Sequence, residues 1–411
     1  MKKIIISFML ACAAVVSCAQ DDAEKQQILD DFNYVVGTQT VGAKYKFTEE
    51  TNLVETAREI AAMGSNLLKI SMGPRYWWEN YDIPRDTTIT SLELLAQEAS
   101  MKEVLSMKEF KYYQIWAYEF SQYTQEPAGQ KIDKNQIKFI DGLDDAEAKM
   151  VYDEIYNLAK YLLVTYSGTG KVFYLGNWEG DWHLRWDYKR KKDADPKTIE
   201  GMTRWINVRQ QAVDDAKRDV AHHDIEMYYY IEVNLSDLAV EGKSCVTNSI
   251  LPNVNTDFVS FSSYTATNPP KSEEAMEKML VEHLDYIASK IQPKEGIEGT
   301  RLFIGEYGWN TKDYSLEEID QRAKWVMKTA LKWGCPYILF WEMYNNEITE
   351  EGENRGYWLI DEKGEKTPLY YTHQNFYKES REFVGKFYDK NHRAPSAEEF
   401  AKAAADFECL K

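Results

Sequence analysis

From about residue 34 to residue 375, short apolar or aromatic runs alternate with longer amphipathic stretches. The runs predict strands near Tyr34–Val41, Asn66–Met72, Lys111–Ala117, Lys171–Trp178, Glu226–Val233, Asp257–Tyr264, Arg301–Glu306 and Pro336–Glu342. Unbroken runs such as Val172-Phe-Tyr-Leu175 and Tyr337-Ile-Leu-Phe-Trp341 lack polar alternation, which suits parallel strands covered on both faces. Between them, Asp144-x-x-Glu147 and Ser315-x-x-Glu318 have the spacing of capping boxes, in which side chain and backbone satisfy each other's free hydrogen-bonding groups at a helix start. Gly64, the Gly168/Gly170 pair and Gly334 stand just before the second, fourth and eighth strands, where helices end in a left-handed residue. Eight strand–helix alternations predict an α/β fold closing as a single (β/α)8 barrel. An open doubly wound sheet is the alternative, but no glycine-rich phosphate turn follows the first strand. The stretches from Gly73 to about Ser100 and from Tyr118 to about Leu143 predict extended loops on the carboxyl face, the first containing Arg75-Tyr76-Trp77-Trp78.

The two ends read differently. Lys2 and Lys3 precede an apolar stretch, Ile4 to Val16, which has the length of a signal-peptide core and is too short to span a membrane. It ends in Val15-Val16-Ser17-Cys18, similar to the lipobox of bacterial lipoproteins, which implies lipidation and membrane anchoring through Cys18. Ala19 follows in place of an aspartate that would hold the protein at the inner membrane, and Gln20-Asp21-Asp22-Ala23-Glu24 resembles the acidic tether of surface-exposed Bacteroidota lipoproteins. The expected location is the outer membrane, facing outward, with a periplasmic orientation as second choice. The expected division is a signal peptide at 1–17, tether and lead-in at 18–33, the barrel at 34–375 and a helical extension at 376–411 packed on it.

Composition narrows the function classes. A formal charge of −18 argues against nucleic acid or anionic membrane as a partner, because both are held by clustered Lys and Arg. Besides Cys12 in the signal stretch and Cys18, the chain has Cys245, Cys335 and Cys409, enough for one disulfide at most and without zinc-site spacing. The six His show no metal-ligand pattern beyond adjacent His222-His223, so neither metal nor organic cofactor is expected. Serine-hydrolase, zinc-protease and phosphate-loop motifs are absent. Aromatic residues make up 14% of the chain, a supply of flat surfaces on which sugar rings stack, although large barrels also use them as packing.

Two segments carry chemistry: Gly176-Asn177-Trp178-Glu179-Gly180-Asp181-Trp182 after the fourth strand and Phe303-Ile304-Gly305-Glu306-Tyr307-Gly308-Trp309 at the seventh. Each sets a carboxylate at a strand's carboxyl end, where barrel side chains point into the shared cleft. A single glutamate there is commonly a solvated loop residue; two, each flanked by Gly and Trp, suit glycoside hydrolysis, which needs one protonated and one ionised carboxyl. The pattern resembles glycoside hydrolase clan A, retaining enzymes with glutamates after strands four and seven. The resemblance covers the layout from Tyr34 to His373, with only these motifs specific. It implies Glu179 as acid/base, Glu306 as nucleophile and a glycan, most often β-linked, as substrate. It also implies that Tyr264 bonds the nucleophile and that Trp341 floors the sugar site.

Asn177 is separated from Glu179 by Trp178, whereas the clan has an adjacent Asn-Glu pair. This leaves Asn177's contact with the sugar open and keeps Asp181 as a substitute acid/base; Glu342 is a third acidic candidate. Trp182, His183, Asn234 and Trp309 are further candidates for the cleft, while loop packing is the simpler account of Arg75, Trp77 and Trp78. The alternatives from other classes are a surface glycan-binding lipoprotein without catalysis, and a lyase or isomerase, for which Lys69 within the second strand is the sole pointer. A monomer is the favoured state.

Overall fold

The structure, a computed structural model, describes residues 21–74, 76–121, 138–185, 189–190 and 192–411. The signal segment, Cys18, Arg75 and most of the 118–143 loop therefore lie outside the described residues. Eight parallel strands form a closed barrel in chain order: β1 (Val36–Gln39), β2 (Leu67–Met72), β3 (Tyr112–Ala117), β4 (Val172–Gly176), β5 (Glu226–Val233), β6 (Phe258–Ser262), β7 (Leu302–Tyr307) and β8 (Ile338–Phe340). β1 pairs with β8 through Val36↔Ile338 and closes the ring, so no sheet edge is left for another chain to join.

The predicted strands are found, though several are shorter at their carboxyl ends. Predicted β4 ran to Trp178 and β8 to Glu342, whereas the ladders stop at Gly176 and Phe340. Beyond those points Trp178 and Trp341 line a cavity rather than continue a sheet, while Asn177 and Glu342 are fully buried.

The helices end as their caps require. Asp144 and Ser315 both form complete capping boxes, at the starts of Asp145–Thr165 and Leu316–Trp333. Gly64 and Gly334 take left-handed conformations with φ of 109° and 91°, available to glycine at little cost. The eighth barrel helix is Pro368–Asn391, so the expected boundary at residue 376 falls inside one continuous helix. Beyond it, Ala397–Ala404 places Phe400 against Phe32, ring centroids 4.9 Å apart, covering the amino end of β1. Cys245, Cys335 and Cys409 are free thiols, the first two buried.

The barrel interior is layered. Its lower part is filled by aromatic rings, with the Tyr174 and Tyr337 hydroxyls 2.8 Å apart and Phe303 edge-on to Tyr337. Above them the inward positions turn polar: Lys69, Glu232 and Ser260 are fully buried, and Lys69 and Ser260 both donate to the Glu232 carboxylate. This polar layer is the floor on which the site stands.

β7 carries a bulge at the residue that matters most. Against β6 the register passes from Phe261↔Ile304 to Ser262↔Glu306, and against β8 from Ile304↔Ile338 to Tyr307↔Phe340. β7 thus has one more residue than either neighbour between those points, a local insertion that re-aims the following side chain. Gly305 sits there, and a Cβ on it would collide with the Ser260 hydroxyl and lie 2.9 Å from a Glu232 carboxylate oxygen.

Candidate active site

A cavity of about 520 Å³ opens at the carboxyl ends of the strands. Glu179, Glu306, Trp116, Trp178, Tyr264 and Trp341 line its inner part, and its rim includes Tyr76 and Asn80 after β2 and Glu347, Arg355 and Tyr357 after β8. Trp116 and Trp341 stand 6.0 Å apart, and the Trp341 indole N–H donates to Glu347 at 3.3 Å. Flat apolar faces thus surround two carboxyls.

Glu179 is positioned by its backbone and its side chain alike. Arg209, on helix Pro196–Asp219, reaches under the ends of β3 and β4, donates to the carbonyls of Ala117 and Gly176, and pairs with buried Glu119 at 3.0 Å. The chain then leaves the sheet. Trp178 N–H donates to the Tyr118 hydroxyl at 2.8 Å, and that hydroxyl also meets His183 Nε2 at 2.8 Å. Glu179 N–H donates to Glu232 Oε1 at 3.0 Å. Its carboxylate accepts from the Ser262 hydroxyl at 2.5 Å and from the Asn234 amide at 3.4 Å, and Trp182 bonds it as well.

Glu306 is set by the bulged β7 and is bonded by the Tyr264 side chain, while its Oε2 has no hydrogen-bond partner among the described residues. Burial is the leading influence on both carboxyls, because taking a carboxylate out of water disfavours its charge. Glu179 is pushed up to about 7, with the Ser262 hydrogen bond opposing and the Glu232 charge adding to the rise. Glu306 is raised well above the ordinary carboxylate range, by burial and then by the neighbouring Glu179 charge, against the pull of Lys69. At neutral pH the two therefore retain a proton between them, the condition that acid and base chemistry in one site requires.

This predicts a pH-dependent stability. Glu179 binds its proton more tightly folded than unfolded, so its effect on stability is nil below about pH 4.5 and increasingly unfavourable as pH rises toward 7. Glu179→Gln should accordingly gain on the order of 2–3 kcal/mol of relative stability between pH 4.5 and pH 7.5, read from urea unfolding at both values. An equal difference from the unaltered protein at the two pH values would show that the carboxyl is not perturbed.

The remaining sequence candidates separate by position. Tyr264 and Trp341 line the cavity. Asn234 lies behind Glu179 and holds its carboxylate, and Trp182 is packed beside Leu235 and Leu238. Asn177 is fully buried and donates to the Trp178 carbonyl, so the extra residue takes it out of the cavity. His183 supports Trp178 from below through Tyr118, and Trp309 is buried 6.0 Å from Tyr307; neither lines the cavity. Asp181 is a brace: its carboxylate accepts from the N–H groups of Asn234, Leu235 and Val246 at 3.1, 3.1 and 2.7 Å. Glu342 is wholly buried and accepts from Val41 N–H at 3.2 Å, and burial raises its carboxyl well above the ordinary carboxylate range. Sequence reasoning missed Trp116, Ser262 and Glu232. The one signal for Glu232 was an acidic residue inside an apolar strand.

No protein-family model and no curated protein matches the chain. Solved structures do. A GH5_18 enzyme from Bifidobacterium longum subsp. longum is similar with a TM-score of 0.54 at 12% identity, over 88% of this chain and 80% of that one. A GH5_18 structure from the same organism in complex with Manb1-4GlcNAc gives 0.53 at 12% identity, covering 80% and 73%. A family 39 glycoside hydrolase from Bacteroides cellulosilyticus WH2 gives 0.48 at 11% identity; the chain spans 64% of that enzyme's length and the match covers 85% of this chain. The likeness to the two GH5_18 structures is one of fold, in keeping with the closed eight-stranded barrel.

Proposed function

We propose that the protein is a retaining glycoside hydrolase of the clan A type, acting on a β-linked glycan. The observation that carries this reading is the pair of buried carboxyls at the ends of β4 and β7, facing one cavity walled by tryptophans. In the first step Glu306 attacks the anomeric carbon while Glu179 gives its proton to the departing oxygen. In the second, Glu179 takes a proton from water, and that water releases the sugar from Glu306. The Tyr264 hydroxyl, bonded to Glu306, steadies the attacking carboxylate, and Trp341 and Trp116 offer faces for the ring. Direct attack calls for a carboxyl separation of ~5–5.5 Å, against ~6.5–9.5 Å for inversion.

The experiment is to incubate residues 21–411 with β-glucans, mannans, xylans and host glycans, then follow the first-formed anomer by proton NMR. Release of a β-configured product from a β-linked substrate supports double displacement, and release of the α-anomer overturns it. Binding across the panel without turnover would favour a glycan-binding protein. We propose further that the chain is carried to the outer membrane and held there by a lipid on Cys18. The lipobox-like Val15-Val16-Ser17-Cys18 and the acidic stretch behind it support this. Loss of membrane association in Cys18→Ala tests it.

A further inference from the structure

The polar floor beneath the two glutamates holds an ion pair that the two-step mechanism leaves unused. Lys69, within β2, and Glu232, within β5, are both fully buried and meet across the barrel at 2.9 Å. Each end also touches the backbone of one glutamate's segment. Lys69 Nζ donates at 2.8 Å to the carbonyl of Gly305, the residue before Glu306, and lies 4.4 Å from the centre of the Trp116 ring. Glu232 Oε1 accepts the backbone N–H of Glu179 itself, while Oε2 accepts from Ser260 at 2.7 Å as well as from Lys69. A buried pair seldom repays its desolvation through stability alone, so its retention under a reactive site points to a role in that site.

We propose that the Lys69–Glu232 pair is a fixed dipole laid across the floor of the site, positive end at Glu306 and negative end at Glu179, that holds the exchangeable proton of the two glutamates on Glu179. The inference rests on the assignment of Glu306 as nucleophile and Glu179 as acid/base. Both members of the pair are positioning residues, since neither lines the cavity. A dipole is needed because burial raises both carboxyls, and attack requires that Glu306 give up its proton before Glu179 does. At Glu306 the lowering by Lys69 outweighs the rise from the Glu232 charge, while at Glu179 the Glu232 charge adds to the rise. Tyr264 after β6, Tyr230 on β5 and Glu342 after β8 also act on Glu306 and supply no positive charge. Lys44 and Arg355 do carry one, and they line the same cavity.

The test is the double variant Lys69→Met/Glu232→Gln, which removes both charges together and leaves no lone buried ion to unfold the barrel. In the unaltered protein the pH profile of kcat/KM is bell-shaped, its acid limb reporting Glu306 and its basic limb Glu179. In the variant the acid limb should move up and the basic limb down, narrowing the bell by about one pH unit in total. Lys69→Met alone, where it folds, should move the acid limb up by about one unit, cutting kcat/KM about tenfold on that limb and much less near the optimum. A uniform loss at every pH with both limbs in place would mean that the pair only supports the backbone, and would overturn the proposal.

Carboxyl carbon NMR of 13C-labelled glutamate supplies a readout that needs no turnover. The signals are assigned with Glu306→Gln and Glu179→Gln. The titrations of Glu306 and Glu179 should shift in opposite directions in the double variant, and shifts in the same direction, or none, would overturn the dipole. If the unaltered protein cleaved no glycoside, the proposed function would fail, while this titration would still decide the present inference.

Discussion

Glu306→Gln is expected to lower kcat/KM by roughly 10⁴-fold or more, the scale of loss when a nucleophile that forms a covalent intermediate is removed. Glutamine keeps the size of the side chain and lets Tyr264 go on bonding it, so the loss tests charge and nucleophilicity rather than packing. Stability at neutral pH should hold or rise, because a carboxyl that resists ionisation in its buried site has been replaced by a neutral group. Glu179→Gln should behave differently, and the contrast assigns the roles. With a poor leaving group the loss should be about 10²–10⁴-fold, the usual worth of general acid catalysis. With an aryl leaving group that departs without a proton, the first step should remain fast and the glycosyl-enzyme should accumulate, visible as a burst and as added mass on the peptide containing Glu306. Activity surviving Glu306→Gln, or mass added at any other residue, would move the nucleophile elsewhere.

The second large effect is structural. Arg209→Met should destabilise the protein by about 3–5 kcal/mol, measured by urea unfolding near pH 7, because it strands a buried partner. Arg209 is completely buried, pairs with Glu119 and caps the carbonyls at the ends of β3 and β4. Burial pushes Glu119 up to about 7 even with the guanidinium beside it, so without the arginine its carboxyl should be protonated well above neutrality. The loss should therefore be largest at high pH and shrink as pH falls and Glu119 takes up its proton. Glu119→Gln/Arg209→Met should recover much of it, since no lone charge remains. A loss under about 1 kcal/mol would mean that water reaches Glu119 and that the pair does not brace β4.

Much of this molecule follows from local pattern. The apolar and aromatic runs identified all eight strands, and where they are unbroken, as in β4 and β8, it is because a parallel strand covered on both faces has no use for polar alternation. Asp144, Ser315, Gly64 and Gly334 marked helix ends correctly, since capping depends on residues three or four apart and on φ at a single position. Glu179 and Glu306 stood out because glycine and tryptophan beside a strand-end glutamate leave a trace in the chain itself, and both do face the cavity.

Direction and long-range pairing needed the closed barrel. Asn177, His183 and Trp309 lie within a few residues of the two glutamates yet point away from the cavity, because one extra residue or a short helix turns a side chain to the other face. Asp181 looked like an alternative acid until three backbone N–H groups from segments more than fifty positions away were found on its carboxylate. The bulge that aims Glu306 exists only as a mismatch between β7 and its two neighbours. Lys69 and Glu232 are 163 positions apart, and nothing near either one says that it will be buried against the other. Period and capping are interactions over a few residues, so a single chain displays them. The sign and reach of the field at a buried carboxyl depend on which distant charges the barrel's closure brings together.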